Sequence, residues 1–171
     1  MSAGSPRFSS LRRGLADLTA LQKGAQYRQW TVLHQAAFGG HFDTVKQLLE
    51  QHNADKNVTC AIPSLKRSPL YAAVVGGFEN IVEVFLDKGC DVNLGAGCCF
   101  PLNAAVCGGN NDLVVRLLNA GADPNLITPT DGSHHLGPCQ TPLMEAAGRG
   151  HLKLVEHLLG FGAHVFHPSM E

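Results

Sequence analysis

Apolar residues along the chain come in short groups broken by glycine, histidine and charge, and one arrangement of them recurs four times. A leucine is followed by a pair of small residues, then by a glycine, then by a run with apolar positions at i, i+3 and i+4. The four segments are TVLHQAAFGGHFDTVKQLLEQHNADKN, SPLYAAVVGGFENIVEVFLDKGCDVN, FPLNAAVCGGNNDLVVRLLNAGADPN and TPLMEAAGRGHLKLVEHLLGFGAHVF. Their aligned leucines are Leu33, Leu70, Leu102 and Leu143, at intervals of 37, 32 and 41, so a unit with a period in the thirties is joined by loops of unequal length.

Each segment predicts a helix, a turn and a second helix. Thr31, Ser68 and Thr141 can accept backbone N–H bonds as N-caps, and Pro69, Pro101 and Pro142 stand where a fixed φ starts a helix and no donor is missed. Ala36-Ala37, Ala73-Val74, Ala105-Val106 and Ala146-Ala147 are small enough for neighbouring helices to approach closely. Gly40, Gly77, Gly109 and Gly150 suit a left-handed helix stop, after which the chain reverses. The second helix carries one apolar stripe, as in Val45, Leu48 and Leu49 or Val155, Leu158 and Leu159, which only another repeat can cover. Gly89, Gly121 and Gly162 end three of these helices, and Asp91-Val92-Asn93 and Asp123-Pro124-Asn125 supply turn chemistry. In the first segment His52-Asn53 replaces the glycine.

These segments resemble the ankyrin-repeat family, whose motif TPLHxAAxxGHxxxVxxLLxxGADxN they follow from Trp30 to Phe166, about 137 residues. The resemblance implies an all-α fold, a solenoid of stacked helix-turn-helix units with short β-hairpin loops between repeats. The expected organisation is a disordered stretch at 1–9, an N-terminal capping helix or half-repeat at 10–29, and repeats at 30–57, 67–93, 99–125 and 140–166. An extended loop is expected at 126–139, because LITPTDGSHHLGPCQ is longer than the usual connection, and a tail at 167–171. Leu11, Leu15, Leu18 and Leu21 fit the short amphipathic capping helix. Leu154, Val155, Leu158 and Leu159 are not diluted by polar residues as a terminal repeat requires, which is expected of an array that continues past Glu171.

Charge narrows the partners. Thirteen lysines and arginines against 14 acidic residues give a net charge of -1, so neither nucleic acid nor an anionic membrane is favoured by the overall field. No apolar run approaches the roughly 20 residues that span a bilayer. The first residues, MSAGSPRFSSLRRG, carry no signal-peptide core, so the six cysteines read as reduced thiols and the compartment as cytoplasmic, with the nucleus as the alternative.

The resemblance implies that a partner meets the hairpin tips and the exposed side of the first helices. Carried over position by position, the partner-binding residues are Trp30, Phe38, Arg67, Val75, Cys99, Cys107, Gln140 and Arg149. A stripe that is apolar over three repeats and flanked by Lys66, Arg67 and Arg149 suits a protein or peptide with apolar anchors and acidic neighbours. For Trp30 the competing reading is packing beneath the N-terminal segment. The resemblance also makes Asn125 and Asn93 candidate β-hydroxylation sites, Asn125 having the more favourable context of Leu117 and Asp123. His34, His41 and His151 would be turn-stabilising histidines of the motif.

Zinc is the competing chemistry. Cys98, Cys99, His134, His135 and Cys139 could supply mixed sulfur and nitrogen ligands from adjacent loops, although their spacing matches no regular zinc motif. His157, His164 and His167 read as solvated surface. No nucleophile elbow or phosphate-binding glycine loop is present, so neither catalysis nor a cofactor is expected. The expectation is a non-catalytic scaffold or adaptor, monomeric by default. A zinc-stabilised or redox-responsive module is one alternative. A second is a self-associating fragment of a larger ankyrin-repeat protein, such as a ubiquitin-ligase substrate adaptor. No ligase-recruiting box is recognisable after Phe166, so that last role would need sequence outside this chain.

Overall fold

Proline at N1, a left-handed glycine at the turn and a 3.6-residue apolar stripe recur along the chain, and helices form where they do. A computed structural model describes residues 30–60, 66–96, 99–127 and 141–166. The eight helices among them are α1 (Val32–Phe38), α2 (Phe42–Glu50), α3 (Pro69–Gly76), α4 (Glu79–Asp87), α5 (Pro101–Cys107), α6 (Asn111–Asn119), α7 (Pro142–Gly148) and α8 (Leu152–Gly160). The expected disordered stretch, the capping helix, most of the extended loop and the tail lie outside the described residues.

The local chemistry follows the turn residues closely. Gly40, Gly77, Gly109 and Gly150 have φ between 67° and 75°, and Gly89, Gly121 and Gly162 are also left-handed. In the first repeat Asn53, at φ 48°, takes the place of the missing glycine, the substitution that a short polar side chain best tolerates. Ser68 accepts from Tyr71 N at 3.1 Å and Thr141 from Met144 N at 3.2 Å. Thr31 differs from expectation: its hydroxyl lies 2.8 Å from Nδ1 of the buried His34, and the ring takes the oxygen that would have capped α1. No strand forms among the described residues. Where the described residues enter the inter-repeat loops they form Asx turns, in which Asp55, Asp91 and Asp123 accept from the backbone N–H two residues on.

The described residues fall into two compact units, 30–60 with 68–90 in the first, and 66–67 with 91–96, 99–127 and 141–166 in the second. In the first, α1 packs on α3 and α2 on α4. Ala36, Ala37, Ala72 and Ala73 are fully buried, which lets the first helices approach closely, while Phe85, Ile81, Leu70, Val45 and Val82 fill the core. In the second, α5 packs on α7 and α6 on α8 around Leu102, Leu113, Leu117, Leu154 and Leu158. Burial of each such side chain is worth about 1.5–3 kcal/mol, and that, more than the propensity of seven- to nine-residue helices, holds each pair together.

Candidate protein-interaction surface

In the first unit, Phe38 and Val75 occupy equivalent places at the ends of α1 and α3, which pack together. Val75 is 48% exposed and Phe38 half-buried. Behind Phe38 lies Trp30, only 8% exposed, with its ring edge-on to Phe38 at 5.3 Å between centroids and tilted against His34 at 5.8 Å. Trp30 is therefore a rigid backing, and Phe38 and Val75 are the apolar groups that reach the surface. Phe78, which opens the second half of that repeat, lies against the turn: a Cβ at Gly76 would stand 2.7 Å from its ring and 2.9 Å from the Phe38 carbonyl. Only glycine allows the two turns to nest.

In the second unit the corresponding face is polar. Cys107, exposed at the end of α5, donates through Sγ to Glu145 Oε1 of α7 at 3.2 Å, and Arg149 Nε donates to the same oxygen. Burial of the sulfur and then the Glu145 carboxylate push the thiol up to about 11, although the residue as a whole is exposed. For Glu145, burial alone would raise the pKa, but bonds from Arg149 and Cys107 outweigh it and hold the carboxyl below its ordinary value. Glu145 in turn raises Arg149. The guanidinium stands at the exposed end of this chain of bonds as a fixed positive group. Sequence reasoning passed over Glu145, though its i, i+4 spacing to Arg149 is the signal that identifies it.

The other expected contact residues are spread among different environments. Arg67 is half-buried, Cys99 is fully buried, and Gln140 lies outside the described residues. Cys60, like Cys99, is buried, and Cys90 is half-buried. Of the zinc candidates, Cys98, His134, His135 and Cys139 also lie outside the described residues, within which no group of three or more His, Cys, Asp or Glu side chains could hold a metal. His151 packs on the preceding turn, where a Cβ at Gly109 would come within 3.1 Å of its ring.

The loop asparagines Asn93 and Asn125 join successive loops. Asn93 Nδ2 donates to the Gly121 carbonyl at 3.1 Å and its Oδ1 accepts from Asp123 N at 2.9 Å. Asn125 repeats the pattern on Gly162 O, at 3.2 Å, and His164 N, at 2.8 Å. Both ends of each amide are engaged, so any modifying enzyme would meet a side chain already committed to the next loop.

No helix among the described residues is long and apolar enough to cross a membrane. The family model for ankyrin repeats in three copies matches residues 10–96, and that for a single ankyrin repeat matches residues 99–129 and again residues 139–169. No curated protein matches the chain.

Proposed function

The chain belongs to the ankyrin-repeat family, generally a family of protein–protein interaction modules and typically non-catalytic, and from that premise we propose that it is a non-catalytic scaffold or adaptor. It captures a protein or peptide on the surface of its first helices and its loop tips. The observation that carries this reading is the exposed Val75 beside Phe38, whose ring is held in place by the buried Trp30. An apolar pair on a rigid backing loses little conformational entropy on binding, which is the property of an anchor site. In the second unit, Arg149 is set by Glu145 and offers a positive contact to an acidic group. Cys107 joins Arg149 through their shared hold on Glu145, Arg67 is proposed from its position before the motif alone, and specificity resides in such surface positions more than in the shared frame. Asn125 and Asn93 are the places where hydroxylation would act, as an adjustment of the loop ties. The compartment is proposed as the cytoplasm.

Affinity capture from cell extract tests the reading. The intact chain is compared with a Phe38→Ala/Val75→Asp variant and an Arg149→Glu variant, once circular dichroism has established that each folds. Loss of a specific partner by the folded variants supports binding on the first-helix surface, and an unchanged set of partners overturns it.

A further inference from the structure

The second unit ends in a helix pair whose outer face is apolar at positions that are covered one repeat earlier. Val106, Val114 and Leu118 are at most 4% exposed where α7 and α8 pack on α5 and α6. Their counterparts on α7 and α8 are Ala147, exposed, Val155, half-buried, and Leu159, 43% exposed. Leu152, at 76%, lies one heptad before Leu159 on the same side of α8, and Phe161, Val165 and Phe166, at 42%, 63% and 86%, continue the patch into the following loop. So many large apolar groups in one place mark a binding surface rather than scattered exposure.

Two features indicate what covers it. Asn125 clasps the loop of the next pair through both ends of its amide, and the residue at the matching position in the last loop is Phe166, which can make neither bond. A further repeat of the same kind would therefore meet this face without the polar clasp, and against an aromatic ring. The second feature is the order of residues along α8. Leu152, Val155, Glu156 and Leu159 form one stripe, with Lys153 on the flank nearest Glu156. Two copies of this helix laid antiparallel about a two-fold axis near Val155 and Glu156 bring Leu152 of each toward Leu159 of the other. The same operation brings Lys153 of each beside Glu156 of the other, along one edge of the seam. The stripe is self-complementary in shape and in charge, as an isologous contact requires.

We propose that the Leu152–Val155–Leu159 face of α8 is a self-association surface, on which a second copy of this chain docks antiparallel. It is separate from the first-helix surface proposed to hold a partner, so either can fail without the other. The seam is one short helix with an aromatic border, which is small for a stable interface. The dissociation constant expected is on the order of 100 μM, so the chain is monomeric when dilute and dimeric when concentrated or held locally.

Sedimentation equilibrium of the full chain across concentrations tests this, with circular dichroism as the check on folding. The wild type should pass from monomer to dimer, and Leu159→Asp, at a position open enough to tolerate it, should raise the dissociation constant by roughly tenfold or more. Lys153→Glu alone should weaken the dimer about threefold or more by setting two acidic pairs face to face, and the Lys153→Glu/Glu156→Lys exchange should restore it to within about twofold. A monomer at every concentration up to about 1 mM overturns the proposal. So does a dimer indifferent to Leu159→Asp, a double exchange no better than the single reversal, or a mass that grows beyond two copies.

Discussion

Replacing Asn125 with alanine removes a side chain that holds two successive loops together while leaving every apolar contact in place. Two hydrogen bonds disappear, the donation to Gly162 O at 3.2 Å and the acceptance from His164 N at 2.8 Å. Each is worth a net of about 0.5–1.5 kcal/mol, and because the loop is open to water the orphaned groups are resolvated, so the pair should cost about 1.5 kcal/mol. Over a chain of this size that lowers the apparent melting temperature by about 4 °C. Urea titration followed by far-UV circular dichroism measures it. Because helix pairs in a repeat array lean only on their neighbours, the loss should appear first in the C-terminal pair. Asn125→Asp is the more searching variant. It keeps an acceptor for His164 N but sets a carboxylate oxygen against the Gly162 carbonyl, and it should lose at least as much. Relative to wild type at the same pH, it should recover part of that loss below about pH 4, where the protonated carboxyl can donate again. A cost under about 0.5 kcal/mol for the alanine variant would refute the view that these asparagines fasten the loops.

Gly40→Ala and Gly150→Ala separate backbone strain from collision: both glycines are left-handed, at φ 75° and 73°, but a Cβ at Gly40 would run into the Phe78 ring, whereas none of the neighbours of Gly150 lies within 4 Å. Denaturation should show a loss of about 1 kcal/mol at Gly150 and about 2–3 kcal/mol at Gly40, and equal losses would rule out the ring contact. Cys107, raised from 9.0 to about 11, should react with iodoacetamide at pH 8 about 100-fold more slowly than a thiol at the ordinary value, as read by site-resolved mass spectrometry. Glu145→Gln should speed that reaction, because it removes a negative charge that disfavours the thiolate. The depressed carboxyl of Glu145 contributes stability that is present above its ordinary value of 4.5 and is lost as pH falls through its lower folded value, so Glu145→Gln should flatten the acid limb of the stability profile.

Features carried by single residues could be read from the chain, and features that depend on two repeats lying side by side could not. A proline, a serine or threonine before it, and a glycine after the small pair act within one turn of backbone, so α3, α5 and α7 begin at their prolines and four turns reverse on left-handed glycines. Asn53 could be placed the same way, since few other residues accept that conformation. The hydroxyl of Thr31 shows the limit even there. Two partners three residues away compete for it, the backbone N–H and the His34 ring, and only the burial of that ring decides between them.

The bond between Cys107 and Glu145 spans 38 positions of sequence and less than one repeat of space. It exists because α5 and α7 are laid in register, and no motif within either helix announces it. Trp30 is a case of the same kind. Its place before the motif left two readings open, an exposed contact and a buried ring, and the rings it packs against, His34 and Phe38, come one and two helical turns later and make it the support for a contact. The repeat is thus a lattice with two directions. Along the chain, local chemistry sets each turn; across it, within each unit, residues of equal position in the two packed repeats become neighbours. The apolar stripe of α8 could be seen along the chain, but whether it is covered is decided only across it, and there Leu159 lies open where Leu118 is sealed. A surface that one repeat buries is available, one repeat later, for recognition.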